Sequence, residues 1–327
     1  MTDVLYIHAR PQADSSSMSV NARHTAAALA GLGLSCRVMG LDEVTPWDRT
    51  LGELHPRLVI TNILAVQVSV LDSLAGETPD VEWVVRCHSN LPAMFTAPEL
   101  VRRFRSVVDL AESMKNVRLA MVDPAEAMRL RSAGIPAITL PNVFTGELAK
   151  FSRDEPISQS AMHLSAMFAP RVLKNPAAHV LAAAAVARQD VPLVLHISDQ
   201  GGNMPEQMRM LAGACGLSIM AHPAMAHDEF TAWLAARIDV GLQLSYTDSY
   251  NWTAMEHLAL GIPCVTSTAV NFSPWQVAPN DALGAARAVL EILRDYAKAS
   301  AQALEAARHV QRRNSDMFAA TINRILN

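Results

Sequence analysis

Two carboxylates and two cations in the C-terminal half of the chain have types and spacing suited to gripping an anionic, hydroxyl-rich ligand. Asp248 and Glu256 flank seven residues, Ser249, Tyr250, Asn251, Trp252, Thr253, Ala254 and Met255. The stretch Leu258-Ala259-Leu260-Gly261-Ile262-Pro263-Cys264-Val265-Thr266-Ser267 follows. A strand is expected over Val240–Ser245 and a helix over about Trp252–Leu260. Asp248 then falls in a loop, where a carboxylate can accept hydrogen bonds from sugar hydroxyls. The amides of Tyr250, Asn251 and Trp252 fall at a helix N-terminus, where free N–H groups and the helix dipole favour such ligands. Glu256 sits about one helical turn further in, positioned to reach a ribose diol. A plainer reading has Asp248 capping the helix, Glu256 as a solvated helix residue, and Gly261-Ile262-Pro263 as a helix stop.

Upstream, Ala169-Pro170-Arg171-Val172-Leu173-Lys174-Asn175-Pro176 follows a strand expected at Met162–Phe168. Arg holds phosphate oxygens with a two-pronged fork, and Lys adds a point charge. Fixed beside a leaving diphosphate, such cations lower the barrier as negative charge builds. Two exposed cations near a helix start are the plainer alternative.

Positioning these groups requires a scaffold. Short apolar runs alternate with helix-periodic stretches along the chain. Strands are expected at Val4–Ala9, Cys36–Leu41, Leu58–Ile63, Trp83–His88, Val117–Val122 and Ala137–Leu140, with helices at Val20–Leu32, about Pro98–Met114 and Ala125–Ala133. A polar stretch, Phe144–Ser160, reads as a linker. A second series has strands at Met162–Phe168, Leu193–Ser198, Leu217–Ala221, Val240–Ser245 and Cys264–Ser267. Its helices are expected at about Pro176–Arg188, Met204–Ala214, Asp228–Ala236 and Trp252–Leu260. The tail from about Ala282 reads as helical, with breaks near Ala299 and Arg313. Alternation of this kind implies crossover connections and parallel, doubly wound sheets. The expected division is 1–150, 151–308, and a C-terminal helix 309–327 packing back on the first domain. Two such domains in tandem place a ligand cleft at the carboxyl ends of their strands.

Composition agrees with this. The chain has 327 residues, 50% of them hydrophobic and 18% charged, enough for two buried cores and against disorder. A formal charge of −4 gives no global attraction to nucleic acid or anionic membrane. Cys36, Cys87, Cys215 and Cys264 lack metal-site or redox spacing and read as reduced thiols of a cytoplasmic protein. No secretory leader or membrane span is visible. His222, His227 and Asp228 could mark a metal, but surface histidines flanking a helix are the expectation. The glycines of Asp199-Gln200-Gly201-Gly202-Asn203 fit a tight strand-to-helix turn better than a phosphate cradle.

The acidic segment resembles the motif of glycosyltransferase family four, a group of GT-B enzymes. There a Glu, seven residues and a second Glu precede Ala/Cys-Gly-x-Pro-Val-Val-x-Ser/Thr. Asp248 replaces the first Glu here and is shorter by one methylene. The Arg171/Lys174 pair resembles that family's diphosphate grip, although Arg commonly lies five residues before Lys, where this chain has Ala169. A bacterial and phage branch with an Ala-x-Arg-Pro-x-Lys-Asn pattern matches the spacing seen here. It also resembles His222–Phe230 leading into Asp239-Val240-Gly241-Leu242-Gln243. His88 occupies the place of a His that faces the donor sugar, and Asn142 that of the Asn closing the first domain. The loop Arg10–Ser19 stands where a glycine-rich turn is usual, so Ser16 and Ser17 are its donor-binding candidates.

The resemblance implies an α/β, GT-B fold of two Rossmann-like domains facing across a cleft. It further implies a retaining, metal-independent transfer from a UDP- or GDP-linked sugar, UDP-glucose among them, with no tightly bound cofactor. In that assignment Arg171 and Lys174 stabilise the leaving diphosphate and Asp248 contacts the sugar. Glu256 contacts the ribose, and Ser249, Tyr250, Asn251 and Trp252 line the donor. Glycan, lipid, small-molecule and hydroxylated-DNA-base acceptors stay open. Arg102, Arg103, Arg105, Arg308, Arg312 and Arg313 are the residues that could meet DNA phosphates, although such clusters are more often solvated helix faces. A degenerate nucleotide-sugar-binding protein of the same fold, without transfer activity, is the alternative.

Overall fold

A computed structural model describes residues 2–8, 17–41, 43–44, 46–63, 65–157, 160–168, 171–200 and 202–327, without the side chains of Ser17 and Asp48. Contacts divide the chain into two units, Met1–Thr145 with Gln311–Asn327, and Gly146–Val310. In the first unit, the strands are β1 Val4–His8, β2 Cys36–Gly40, β3 Leu58–Asn62, β4 Glu82–Cys87, β5 Val117–Met121 and β6 Ala137–Thr139. They form one parallel sheet in the order β2-β1-β3-β4-β5-β6. Helices α1 Ser17–Gly31, α2 Trp47–Leu54, α3 Val68–Glu77, α4 Leu91–Met94, α5 Pro98–Ser113 and α6 Pro124–Ser132 connect them. β1 shows why such strands read as unbroken apolar runs. Leu5 and Ile7 enter one core while Val4 and Tyr6 enter another, so both faces are covered.

The second unit repeats the plan with strands β7 Met162–Ala166, β8 Leu193–Ser198, β9 Ser218–His222, β10 Val240–Gln243, β11 Cys264–Ser267 and β12 Trp275–Val277. The order is β12-β11-β10-β7-β8-β9, again all parallel. Its helices are α7 Pro176–Ala187, α8 Met204–Ala214, α9 His227–Arg237, α10 Trp252–Ala259 and α11 Ala282–Arg294. α12, Tyr296–Leu326, begins in this unit and ends in the first. The segment 146–157 holds neither helix nor strand, yet it is pinned to the second unit. Ala149 N–H donates to the Ala259 carbonyl, and the Arg153 guanidinium donates to the Ile238 and Ala235 carbonyls, each at 2.8 Å.

The tail corrects one expectation. α12 runs unbroken through Ala299 and Arg313, and the interruption falls at Asp295 instead. The Asp295 backbone is non-helical, and its carboxylate accepts from the Lys298 N–H, so a capping side chain starts the new helix there. Phe318, Ile322 and Ile325 recur at i, i+4 and i+7 and enter the core formed by Val4, Leu29 and Ile60. β12, α2, α3 and α4 have no counterpart in the sequence reading. All four cysteines are free, and burial pushes the Cys36 thiol up to about 11 and that of Cys87 up to about 12.

One glycine sets the approach of α10 to its strand. A Cβ on Gly241 would lie 2.7 Å from the His257 ring and 2.8 Å from Cys264 Sγ, both fully buried. Gly241→Ala is therefore expected to overpack this seam and cost about 2 kcal/mol. That lowers the thermal midpoint by roughly 5 °C. An unchanged midpoint by near-UV circular dichroism would show that α10 can shift without penalty.

Candidate functional site

In the second sheet β7 and β10 are neighbours, and the loops leaving their carboxyl ends carry the paired charges. After β7 a single 3₁₀ turn, Val172–Lys174, is tied to the β10 loop by the Tyr246 N–H, which donates to the Leu173 carbonyl at 2.9 Å. This sets Lys174 against Asp248. Lys174 Nζ donates to Asp248 Oδ2 at 2.5 Å, with side chains only 13% and 10% exposed. The same oxygen accepts from Asn251 Nδ2 at 3.0 Å and from Ser245 Oγ at 3.3 Å. Asn251 Nδ2 also donates to Gln243 Oε1, while its Oδ1 accepts the Ala254 N–H at 2.9 Å. Asn251, not Asp248, therefore caps α10, which corrects the capping reading of Asp248. The carboxylate is held by a network that leaves Lys174 two further N–H donors.

Lys174 has a rigid base. Asn175, next in sequence, takes a left-handed conformation (φ 51°) and its side-chain amide donates to the Pro279 carbonyl at 2.7 Å. Its own carbonyl accepts from His179 Nδ1, whose Nε2 accepts the Leu244 N–H at 2.9 Å. The neutral His179 ring thus bridges the α7 start to the end of β10. Burial, with the Lys174 charge adding, lowers its pKa to about 4.

Glu256 lies in α10 and is only 4% exposed, so it is not the solvated helix residue of the plainer reading. Burial lifts its carboxyl to about 8, and Oε1 lies 3.3 Å from His227 Nδ1 at the start of α9. His227 and His222 are likewise not the surface histidines expected. His222 Nε2 bonds His196 Nδ1 at 2.8 Å, and His196 Nε2 bonds His163 Nδ1 at 2.7 Å, giving a stacked row across three strands with Trp233 against it. Among the described residues no group of three or more His, Cys, Asp and Glu side chains is arranged to hold a metal. Gly261 (φ 69°) ends α10 with the Ile262 N–H returning to the His257 carbonyl, so the Gly-x-Pro stretch does act as a helix stop.

The sequence candidates thus fall into groups. Lys174, Asp248 and Asn251 share one network. Trp252 is buried and packs edge-on against the Tyr250 ring at 4.8 Å, while Ser249 is half-buried. Arg171 is exposed and takes no part in this network, and Glu256 pairs with His227 instead of Asp248. Ser16 lies outside the described residues, and of Ser17 only the backbone, opening α1, is described. His88 belongs to the first unit, beyond the end of β4, where burial and the Arg86 charge hold its pKa well below the ordinary value. Gln243 and Ser245 were missed as network members. Two polar residues at i and i+2 on an otherwise apolar strand were the available signal. Nothing in sequence spacing points to His227 as the neighbour of Glu256.

No family model matches the chain, and no curated protein matches it in sequence. Solved structures do match over nearly its whole length. The sucrose-phosphate synthase of Thermosynechococcus elongatus superposes with a TM-score of 0.72 at 16% identity, covering 99% of this chain and 98% of that one. Anabaena HepE in complex with UDP-glucose gives 0.68 at 15%, covering 100% and 98%. A glycosyltransferase from Rickettsia africae gives 0.66 at 13%, with the same coverage. At such identities the likeness is one of fold, and the fold is that of the GT-B glycosyltransferases: two parallel six-stranded α/β units in tandem.

Proposed function

We propose that the chain is a retaining, metal-independent glycosyltransferase that moves a sugar from a UDP- or GDP-linked donor to a hydroxyl acceptor. The observation that carries this is the Lys174–Asp248 pair, held by Asn251 and Ser245 where β7 and β10 end. A cation with spare donors beside an acid that accepts hydroxyl hydrogen bonds suits a sugar diphosphate better than it suits a brace. Arg171, exposed at the turn before Lys174, adds the second charge on the diphosphate, and Ser249, Tyr250 and Trp252 line the donor. Glu256 and His227 together present a carboxyl and an imidazole suited to a ribose diol.

In the transfer, the bond from the anomeric carbon to the leaving phosphate oxygen breaks through an oxocarbenium-like state. The acceptor oxygen bonds to that carbon on the same face, and its proton passes to the departing phosphate. Lys174 and Arg171 meet the charge that develops on that leaving group. No carboxylate forms a covalent intermediate. UDP-glucose is the first donor to test, since the HepE structure holds it.

Titration calorimetry with UDP-glucose, further UDP-sugars and GDP-sugars, followed by mass spectrometry of the products, tests the reading. One donor is expected to bind at a one-to-one ratio and to be slowly hydrolysed without acceptor. Lys174→Ala and Glu256→Ala are each expected to weaken binding or turnover more than tenfold. Binding without any turnover would instead mark a nucleotide-sugar-binding protein, and no binding of any donor would end both readings. Retention of the protein on DNA at low salt, lost as salt rises, would single out a DNA-base acceptor.

A further inference from the structure

The ladder between β7 and β10 is short. The two strands pair at Val240↔Leu164 and Gly241↔Ser165 and part beyond them. By contrast, β10 stays beside β11 as far as Gln243↔Thr266, and β7 beside β8 as far as Ala166↔Ile197. The opening falls where the strand order reverses, the usual place for a ligand crevice. It also takes backbone groups on both lips out of the ladder, and buried N–H and C=O groups must find other partners.

Side chains supply them. The Gly241 N–H donates toward β11, to the Pro263 carbonyl, so by alternation along the strand the Leu244 N–H points toward β7. The acceptor it meets is not a β7 carbonyl but His179 Nε2 at 2.9 Å. His179 belongs to α7, and its Nδ1 lies 2.9 Å from the Asn175 carbonyl one turn back. A carbonyl only accepts, so the ring proton sits on Nδ1 and Nε2 keeps the lone pair that takes the Leu244 N–H. The ring is fully buried, and Phe168, two residues beyond β7, packs on it at 4.6 Å. Gln243 crosses the opening the other way. Its Nε2 donates to the Met167 carbonyl at 3.4 Å, and its Oε1 accepts at 3.0 Å from Asn251 Nδ2, which also donates to Asp248. Donors and acceptors alternate without conflict from the Met167 carbonyl to the Asp248 carboxylate, which fixes both amide orientations.

The loops bearing Lys174 and Asp248 thus hang from opposite lips of one opening. We propose that His179 and Gln243 are positioning residues that span it and hold the two loops at the separation at which Lys174 and Asp248 together grip a donor diphosphate. This deepens the transferase reading and rests on it for the identity of the ligand. The bridge itself does not depend on that reading. Misplacement by about 1 Å in such a pair costs on the order of 100-fold in rate.

Two near-isosteres separate a bridge from a local brace of α7. His179→Gln sets an amide oxygen near the Nε2 position and keeps the reach to Leu244. His179→Asn keeps a donor near Nδ1 for the Asn175 carbonyl and falls short of Leu244. The Asn variant is expected to lower kcat for donor turnover at least tenfold with KM changed less than threefold, and the Gln variant to be at least tenfold more active than it. Gln243→Met keeps the volume, removes both amide bonds, and is expected to resemble His179→Asn. Equal activities of the Gln and Asn variants, or turnover that merely follows the thermal midpoint across all three, overturn the positioning role. Two spectra of the full-length, ¹⁵N-labelled protein read the geometry without substrate. A scalar coupling across the hydrogen bond between the Leu244 nitrogen and His179 Nε2 is expected, and its absence overturns the bridge. The Lys174 ammonium is expected to give a resolved, slowly exchanging signal in the wild type and His179→Gln, and to lose it in His179→Asn and Gln243→Met. A signal unchanged in those two overturns the proposal whatever the enzyme does. If the wild-type protein binds no nucleotide sugar, the transferase reading falls, while the coupling and the ammonium signal still decide whether these side chains hold the pair.

Discussion

Lys174→Ala is expected to lower the rate of donor turnover at saturating substrate by 100- to 1,000-fold, the size of effect seen when one fixed donor to a developing oxyanion is removed. The ion pair explains why the loss falls on the chemical step as well as on binding. Lys174 Nζ is already ordered against Asp248 in a site where both side chains are nearly buried, so no reorganisation is needed when charge builds on the leaving phosphate. Removing the amine also leaves Asp248 with the neutral donors Ser245 and Asn251 among the described residues, which destabilises the fold as well. The two effects separate in the double variant Lys174→Ala/Asp248→Asn. Neutralising the orphaned acid is expected to restore the thermal midpoint without restoring turnover. Primary amines in the medium are expected to rescue the single variant in part, because they return a cation to the vacated volume. Nucleotide release within threefold of wild type in Lys174→Ala would remove the cation from the mechanism.

The α/β class and the two parallel sheets were legible in the sequence because strands buried on both faces leave continuous apolar runs, as in Val4–His8 and Leu193–Ser198. Strand ends were read long by one or two residues where the apolar run continues into the following loop, as at Met167-Phe168 and Leu244. β12 escaped because three residues in a serine- and proline-containing stretch carry no period. The spacing of Asp248, Glu256, Arg171 and Lys174 was equally legible, since charged residues stand out against apolar strands. What surrounds them was not. The contacts Lys174–Asp248 and His227–Glu256 join residues far apart in the chain, and the sheet order that brings β7 beside β10 is not written in either motif. The histidine row has the same origin. His163, His196 and His222 lie on three strands, and only the register of β7 with β8 and of β8 with β9 aligns their rings. Arg86 was visible as a charge inside the run Trp83–His88, but its five neutral acceptors come from α1 and from residues 140–142.

Those buried rings make stability depend on pH with a definite sign. Burial lowers His179 to about 4, His257 to about 4 and His196 to about 3, with His222, His163 and Arg237 adding to the last. Each stays neutral in the folded unit and takes up a proton on unfolding once the pH drops below 6.5, so its contribution is complete above 6.5 and lost on acidification toward its folded value. Glu256 runs the other way. Its folded carboxyl, raised to about 8, keeps a proton that the unfolded chain has released above about 4.5, so it destabilises the fold progressively as pH rises from 4.5 to 8. Between pH 6.5 and 4.5 these three histidines, with His88 and His222 shifted in the same direction, favour the unfolded chain and Glu256 favours the folded, a net of at least two protons. At about 1.4 kcal/mol per proton and pH unit this removes roughly 5 kcal/mol. The corresponding fall in thermal midpoint is roughly 10 °C. Between pH 6.5 and 8 only Glu256 acts, and stability declines by about 2 kcal/mol. Scanning calorimetry is therefore expected to give a midpoint that peaks near pH 6.5 with a steep acid limb and a shallow alkaline one. Glu256→Gln is expected to flatten the alkaline limb and leave the acid limb in place, because it removes the single group whose sign is opposite. A midpoint constant from pH 4.5 to 8 would mean that His179, His196 and His257 titrate alike in the folded and unfolded chain, which their burial and hydrogen bonds do not permit.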